Sequence, residues 1–172
     1  MPRKKFVTII PPFEFDALPV RETAKIVLET ADGDYLFVAG KRGKLNLPGG
    51  GIDTGETAEK ALLRELYEET GIDTDKISDL RQVIDLRGPI TPANAPQRIA
   101  HWTVFAGKTS MSAAELSIPS DSETTEITSL SASECLRDQR VLAMAKTAIQ
   151  HVAPKDSRPP RAPSIGQPTQ SR

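Results

Sequence analysis

Leu47–Ile72 reads LPGGGIDTGETAEKALLRELYEETGI, and it joins two kinds of backbone. Its opening, Leu47-Pro48-Gly49-Gly50-Gly51, is a turn in which bare backbone can approach a ligand, because glycine carries no Cβ and visits angles other residues avoid. From Thr57 the pattern is helical. Glu65, Glu68 and Glu69 stand three and four residues apart, which places their carboxylates along one side of the cylinder. Like charges so close raise one another's pKa unless a cation sits among them, and hard divalent ions prefer oxygen ligands. A glycine turn leading into an acidic helix face points to metal-assisted chemistry on a phosphate compound.

The chain around that stretch has 172 residues, enough for one domain with a real core and too few for a second catalytic domain. Hydrophobic residues make up 38% and charged residues 26%, as in soluble globular proteins, and a net charge of -1 argues against strong binding to nucleic acid or to an anionic membrane. The single cysteine, Cys135, cannot close an internal disulfide, no N-terminal run resembles a secretory signal, and no apolar stretch has transmembrane length. The expected setting is reducing and cytoplasmic.

Residues 1–20 read as an arm: Arg3, Lys4 and Lys5 with Pro11, Pro12 and Pro19, and one apolar run, Phe6 to Ile10, suited to an edge strand. Such an arm is a candidate for pairing two subunits as a homodimer. Residues 21–152 form the domain. Thr23 to Thr30 and Tyr35 to Ala39 flank the turn Ala31-Asp32-Gly33-Asp34 and predict a hairpin, with Ala24, Ile26 and Leu28 on one face. Lys41, Arg42 and Lys44 then bring positive charge to the glycine turn; taken singly, each is as readily a solvated surface residue. The helix begins at Thr57 as N-cap and ends at Gly71, with Ala58, Leu62 and Leu66 as its packing stripe.

Beyond it, Ile77 to Leu86 predicts a strand or two short ones, Gly88 to Pro96 a proline-stiffened loop, and Arg98 to Ala106 a strand. Lys108 to Thr125 reads as a loop, Glu126 to Leu130 as a short strand, Ser131 to Leu136 as a capped turn, and Val141 to His151 as an amphipathic helix. Residues 153–172 carry prolines and arginines with little that is apolar, so disorder is expected there.

Spelled out, the central stretch is Gly50, five residues, Glu56, seven residues, Arg64-Glu65-Leu66, one residue, Glu68-Glu69, one residue, Gly71-Ile72. It resembles an unbroken Nudix box, with every specified position of that signature filled. A glutamate-rich helix alone would be a solvated face; the frame of Arg64, Glu65, Glu68 and Glu69 behind the glycine turn reverses that reading. The approach Gly43 to Pro48 and Glu126-Ile127 before a terminal helix are similar too, so the resemblance spans roughly Arg21 to His151.

The resemblance implies an α/β fold, an α/β/α sandwich with a mixed β-sheet between helices. It implies hydrolysis of a nucleoside diphosphate linked to another moiety, with Mg²⁺ or Mn²⁺ as cofactor and a nucleotide-type small molecule as substrate. By position Glu65, Glu68 and Glu69 would bind metal with the Gly49 carbonyl, and Glu56 would be an outer ligand or a support. Arg64 would orient the glutamates. The base that takes a proton from water would be Glu65 or Glu68, or a late-loop carboxylate, Glu123 or Glu126 with Asp121 behind them. Arg21, Lys41, Arg42, Lys44 and Gly50 are the residues expected to hold substrate.

Glu56 is as readily a helix-capping charge as a ligand. His101 reads better as a packing or substrate-edge residue than as a metal ligand, Trp102 as core rather than a stacking platform, and Cys135 as a small buried hydrophobe. Leu45 and Ser129 stand where many relatives carry tryptophan, which leaves the chemistry intact and weakens any choice of nucleobase. Pro89 lies about where ADP-ribose-directed relatives place a proline. A non-catalytic nucleotide-sensing module on the same scaffold is the alternative; an isoprenoid-type isomerase is disfavoured, since no suitably placed cysteine accompanies the box.

Overall fold

The computed structural model describes residues 6–8, 18–90 and 96–154. Its strands are β1 (Phe6–Thr8), β2 (Val20–Glu29), β3 (Tyr35–Ala39), β4 (Leu45–Asn46), β5 (Ile77–Ile90), β6 (Arg98–Thr109) and β7 (Glu126–Leu130). Three helices accompany them, α1 (Ala58–Thr70), α2 (Ala132–Arg137) and α3 (Ala143–Val152).

Alternation along β2 sorts the molecule into layers. Ala24, Ile26 and Leu28 face α1 and pack with Leu36, Ala61, Leu62, Leu66 and Phe105, whereas Val27 faces the other way into a cluster with Phe37, Val104, Cys135, Ala148 and Ile149. One sheet therefore lies between α1 on one face and α2 with α3 on the other, the α/β/α sandwich expected. The sheet is mixed: the order runs β1-β5-β6-β2-β3-β4, with β7 on β3. β2 runs parallel to β6 and β1 parallel to β5, and the remaining neighbours are antiparallel.

Helix α1 is delimited as its residues dictate. The Thr57 hydroxyl accepts from the Lys60 amide at 3.2 Å, and Gly71 takes the left-handed conformation (φ 70°) with its N–H on the Tyr67 carbonyl. Ala61 joins Leu62 and Leu66 in the buried stripe, and Ala58 is only half-buried.

Two elements differ from the sequence reading. β5 does not stop at Leu86 but runs to Ile90, with Gly88 paired to Ala100 and Pro89 to Ile99. A proline costs a ladder only one donor, and Gly88 leaves room for the Trp102 ring, which a Cβ there would approach to 3.3 Å. Early in β5 the register slips twice, and Asp79 adopts φ 55° beside the first slip, a bulge rather than a break. Phe6–Thr8 pairs in parallel with Asp85–Arg87 at the sheet edge. Residues 1–5, 9–17 and 155–172, hence most of the arm and of the expected disordered tail, lie outside the described residues. No helix among the described residues is long and apolar enough to cross a membrane.

Candidate active site

The glycine turn is stitched into the sheet. β2 and β3 pair at Glu29 and Tyr35 and then separate, and the chain from Leu45 to Ile52 fills the gap between them. Leu45 and Asn46 bond to β3; past Leu47 the segment crosses to β2, where Ala24 N–H donates to the Gly50 carbonyl (2.9 Å), Ile26 N–H to Pro48 (3.1 Å) and Ile52 N–H to Glu22 (3.1 Å). Gly49 has φ 118°, and a Cβ on it would lie 2.2 Å from the Ala24 carbonyl oxygen. Only glycine fits there.

This anchoring sets the turn against the acidic side of α1, where Arg64 is the hub. Its Nε donates to Glu56 Oε1 (3.1 Å), Nη2 to Glu56 Oε2 (3.0 Å) and to the Gly51 carbonyl (3.0 Å), and Nη1 to Glu65 (2.9 Å) and Glu68 (3.4 Å). The planar fork of guanidinium donors suits this many acceptors. These bonds hold the Glu56 carboxyl below the usual carboxylate range, and the same carboxylates push Arg64 further up. Glu56 also accepts from the Asp53 N–H at 3.1 Å.

Glu69 is held differently. It is half-buried and accepts from the Gly49 N–H at 2.7 Å, while the Gly49 carbonyl accepts from the Lys25 ammonium, so both polar groups of one glycine are engaged by charged side chains. Burial raises the Glu69 carboxyl, with Lys25 and the Gly49 N–H opposing it and Glu65 and Glu68 adding to it. Burial likewise lowers Lys25, against the attraction of Glu69 and Glu65.

Two clefts meet at this cluster. The larger, of about 970 Å³, is lined by Glu65, Glu68 and Glu69 from α1, by Lys41, Arg42 and Lys44, and by Asp121 and Glu123. The smaller, of about 470 Å³, holds Arg21, Gly50, Ala100 and Trp102. Lys25, Asn46, Glu65, Glu69 and Glu123 border both, so the two form one trough around the acidic cluster.

The donor set suits a hard divalent cation: carboxylate oxygens beside a backbone carbonyl, one carboxylate half-buried among like charges. In the arrangement seen, Glu65 and Glu68 are turned to Arg64 and Glu69 to Gly49. No three acidic, histidine or cysteine side chains among the described residues already converge as a cage.

Most of the residues singled out from the sequence come together here. Gly49, Gly50, Glu65, Glu68, Glu69 and Glu123 meet at the trough, Glu56 and Arg64 stand behind it, and Arg21, Lys41, Arg42 and Lys44 line its two arms. Glu126 is not brought in: Arg140 Nη1 holds it at 3.1 Å, and it lines neither cleft. Trp102, read as core, packs against the α3-side cluster and also borders the smaller cleft. His101 lies between two carboxylates, its Nδ1 2.7 Å from Glu22 and its Nε2 3.5 Å from Asp85. Cys135 is buried, and burial pushes its thiol up to about 11. Sequence reasoning missed Asn46 and Lys25. The signal for Lys25 was a cation in the middle of an otherwise apolar strand, Thr23 to Leu28, where the buried side chains flank it on both sides.

Comparison with known proteins agrees with this architecture. An RNA pyrophosphohydrolase of Sphingopyxis alaskensis is 46% identical over 63 residues, covering 34% of this chain and 39% of the relative. That of Sodalis glossinidius is 36% identical over 84 residues, 48% of this chain and 45% of the relative. The chain thus matches less than half the length of these curated relatives. Among solved structures, the E. coli dihydroneopterin triphosphate pyrophosphohydrolase superposes with a TM-score of 0.61 at 16% identity, over 76% of this chain and 93% of that one. A C. elegans Ap4A hydrolase does so with 0.60 at 14%, over 76% and 93%. At such identities the likeness concerns the fold. The family model of the NUDIX domain matches residues 19–149, most of the chain, and the chain belongs to that family.

Proposed function

We propose that the chain is a pyrophosphohydrolase that cleaves a phosphoric anhydride in a nucleotide-type substrate, with Mg²⁺ or Mn²⁺ as cofactor. The observation that carries this reading is the trough itself, which the acidic face of α1 shares with the basic residues Lys41, Arg42 and Lys44. These basic residues attract a polyphosphate, and the glycine turn lets it approach the backbone at Gly50. Glu65 and Glu68, held in place by Arg64, supply the oxygen ligands for the divalent ion, with Glu69 behind them. A divalent cation bound there supplies Lewis acidity toward the anhydride oxygens and toward water. Glu123, which lines both clefts, accepts the proton that water loses. The water oxygen bonds to phosphorus, the bond from that phosphorus to the bridging oxygen breaks, and the bridging oxygen leaves with the departing phosphate.

Relatives named RNA pyrophosphohydrolase support including RNA among the candidate substrates. The test is a panel of nucleoside triphosphates, oxidised nucleotides, ADP-ribose, NADH, dinucleoside polyphosphates and 5′-triphosphorylated RNA with Mg²⁺, products read by mass, beside Glu65→Gln and Glu68→Gln. Product formation by the wild type and its loss in both variants is expected. Undiminished turnover in both would defeat the assignment. Thermal stabilisation by a nucleotide without product, even with Mn²⁺, would assign the sensing module instead.

A further inference from the structure

Lys25 is the charged residue the site has least apparent reason to contain. It sits in the middle of β2 between Ala24 and Ile26, both fully buried, and is itself only 7% exposed. Burying an ammonium is costly unless it is paired and hydrogen-bonded. Lys25 has such partners. Its Nζ is on the Gly49 carbonyl, Glu69 and Glu65 attract it, and Arg21 is the cation that opposes it. Glu69 in turn accepts from the N–H of the same glycine. The two polar groups of Gly49 thus link Lys25 to Glu69, and Lys25 borders both arms of the trough.

We propose that Lys25 is a tethered cation that takes one of the cation positions of this site: it occupies the Gly49 carbonyl and answers the charge of Glu69, leaving Glu65 and Glu68 to load divalent metal. An ammonium can do the first job of a metal ion here, holding the turn and neutralising a carboxylate, with three N–H donors. It offers no vacant coordination position to water, so the Lewis-acid role stays with the ion held by Glu65 and Glu68. The chain then binds fewer divalent ions than its carboxylates could hold. The inference rests on the metal-dependent reading of the site, and its test counts ions rather than product.

The experiment is Mn²⁺ titration of the full-length protein, with free Mn²⁺ read by electron paramagnetic resonance and folding by circular dichroism. Lys25→Met is expected to hold one more Mn²⁺ per chain than the wild type, and Lys25→Arg, which keeps the tethered charge, the wild-type number. Equal counts for the wild type and a folded Lys25→Met overturn the proposal. Glu69→Gln decides the matter where Lys25→Met does not fold: an unchanged Mn²⁺ count supports the assignment of Glu69 to Lys25, and the loss of an ion overturns it. Nucleotide turnover by the wild type, measured separately, tests the pyrophosphohydrolase reading whatever the count.

Discussion

Gly50 lies against Glu65 so closely that a methyl group on its α-carbon would stand 2.3 Å from the Glu65 carboxyl carbon. The glutamate must move if the glycine acquires a side chain, because the Gly50 carbonyl is fixed by the Ala24 N–H. Gly50→Ala should therefore lower kcat/KM for the best nucleotide by about 100-fold, the scale of a displacement near 1 Å at a reacting centre. Circular dichroism should show the fold retained. Wild-type turnover in Gly50→Ala would show that Glu65 is not held where it acts.

Arg64→Lys keeps the charge and loses the fork. A single ammonium cannot reach Glu56, Glu65, Glu68 and the Gly51 carbonyl together, as the guanidinium does. Mn²⁺ affinity or kcat should fall about 10- to 100-fold, the usual effect of removing a residue that orients ligands. Mn²⁺ titration and steady-state kinetics on one preparation separate the two.

Glu123 and Glu126 are three residues apart and have different fates. Glu123 faces the trough, while Glu126 is tied to an exposed Arg140. Glu123→Gln should lower kcat by about 100-fold, as expected of a general base. Glu126→Gln should stay within about twofold, since exposed ion pairs contribute little. Equal losses in the two would transfer the proton to another carboxylate.

Asp138 gives the fold an acid sensitivity of its own. Its carboxylate accepts from the Arg140 N–H at 2.7 Å and from the guanidinium, and these bonds hold it below the usual range for aspartate. A carboxyl depressed in the folded state stabilises above its unfolded pKa, and that contribution disappears as pH falls through the folded value. Asp138→Asn should therefore melt below the wild type at pH 6, and the gap should close as pH drops below about 4. Melting curves across pH 2 to 7 check this.

The features legible in the sequence were those written in short-range code. Thr57 and Gly71 bound α1 through interactions within a turn of the helix, and the 3.6-residue period alone places Glu65, Glu68 and Glu69 on one side. Lys25 was not legible in this way, because its partner Gly49 is 24 residues away and meets it only after β2 and β3 separate. Glu123 and Glu126 were interchangeable for the same reason: the choice between them is made by Arg140, brought close as the chain returns toward α3. Pro89 misled through local propensity, since the pairing of Gly88 and Pro89 with β6 outweighs their preference for a turn.

The stitching of Pro48–Ile52 into β2 divides the trough into a part set when the sheet forms and a part free to diverge. The glycine turn inherits the rigidity of the central strands, and the amide protons of Ala24 and Ile26 should be among the last to exchange with solvent. The cleft-lining loop, Pro119 to Thr125, is secured to the sheet by Thr125 through the Ala39 carbonyl, and its other hydrogen bonds lie within the loop. Substitutions or insertions there can reshape what enters without disturbing the acidic cluster, so new substrate preferences can arise in that loop while the reactive half is inherited unchanged.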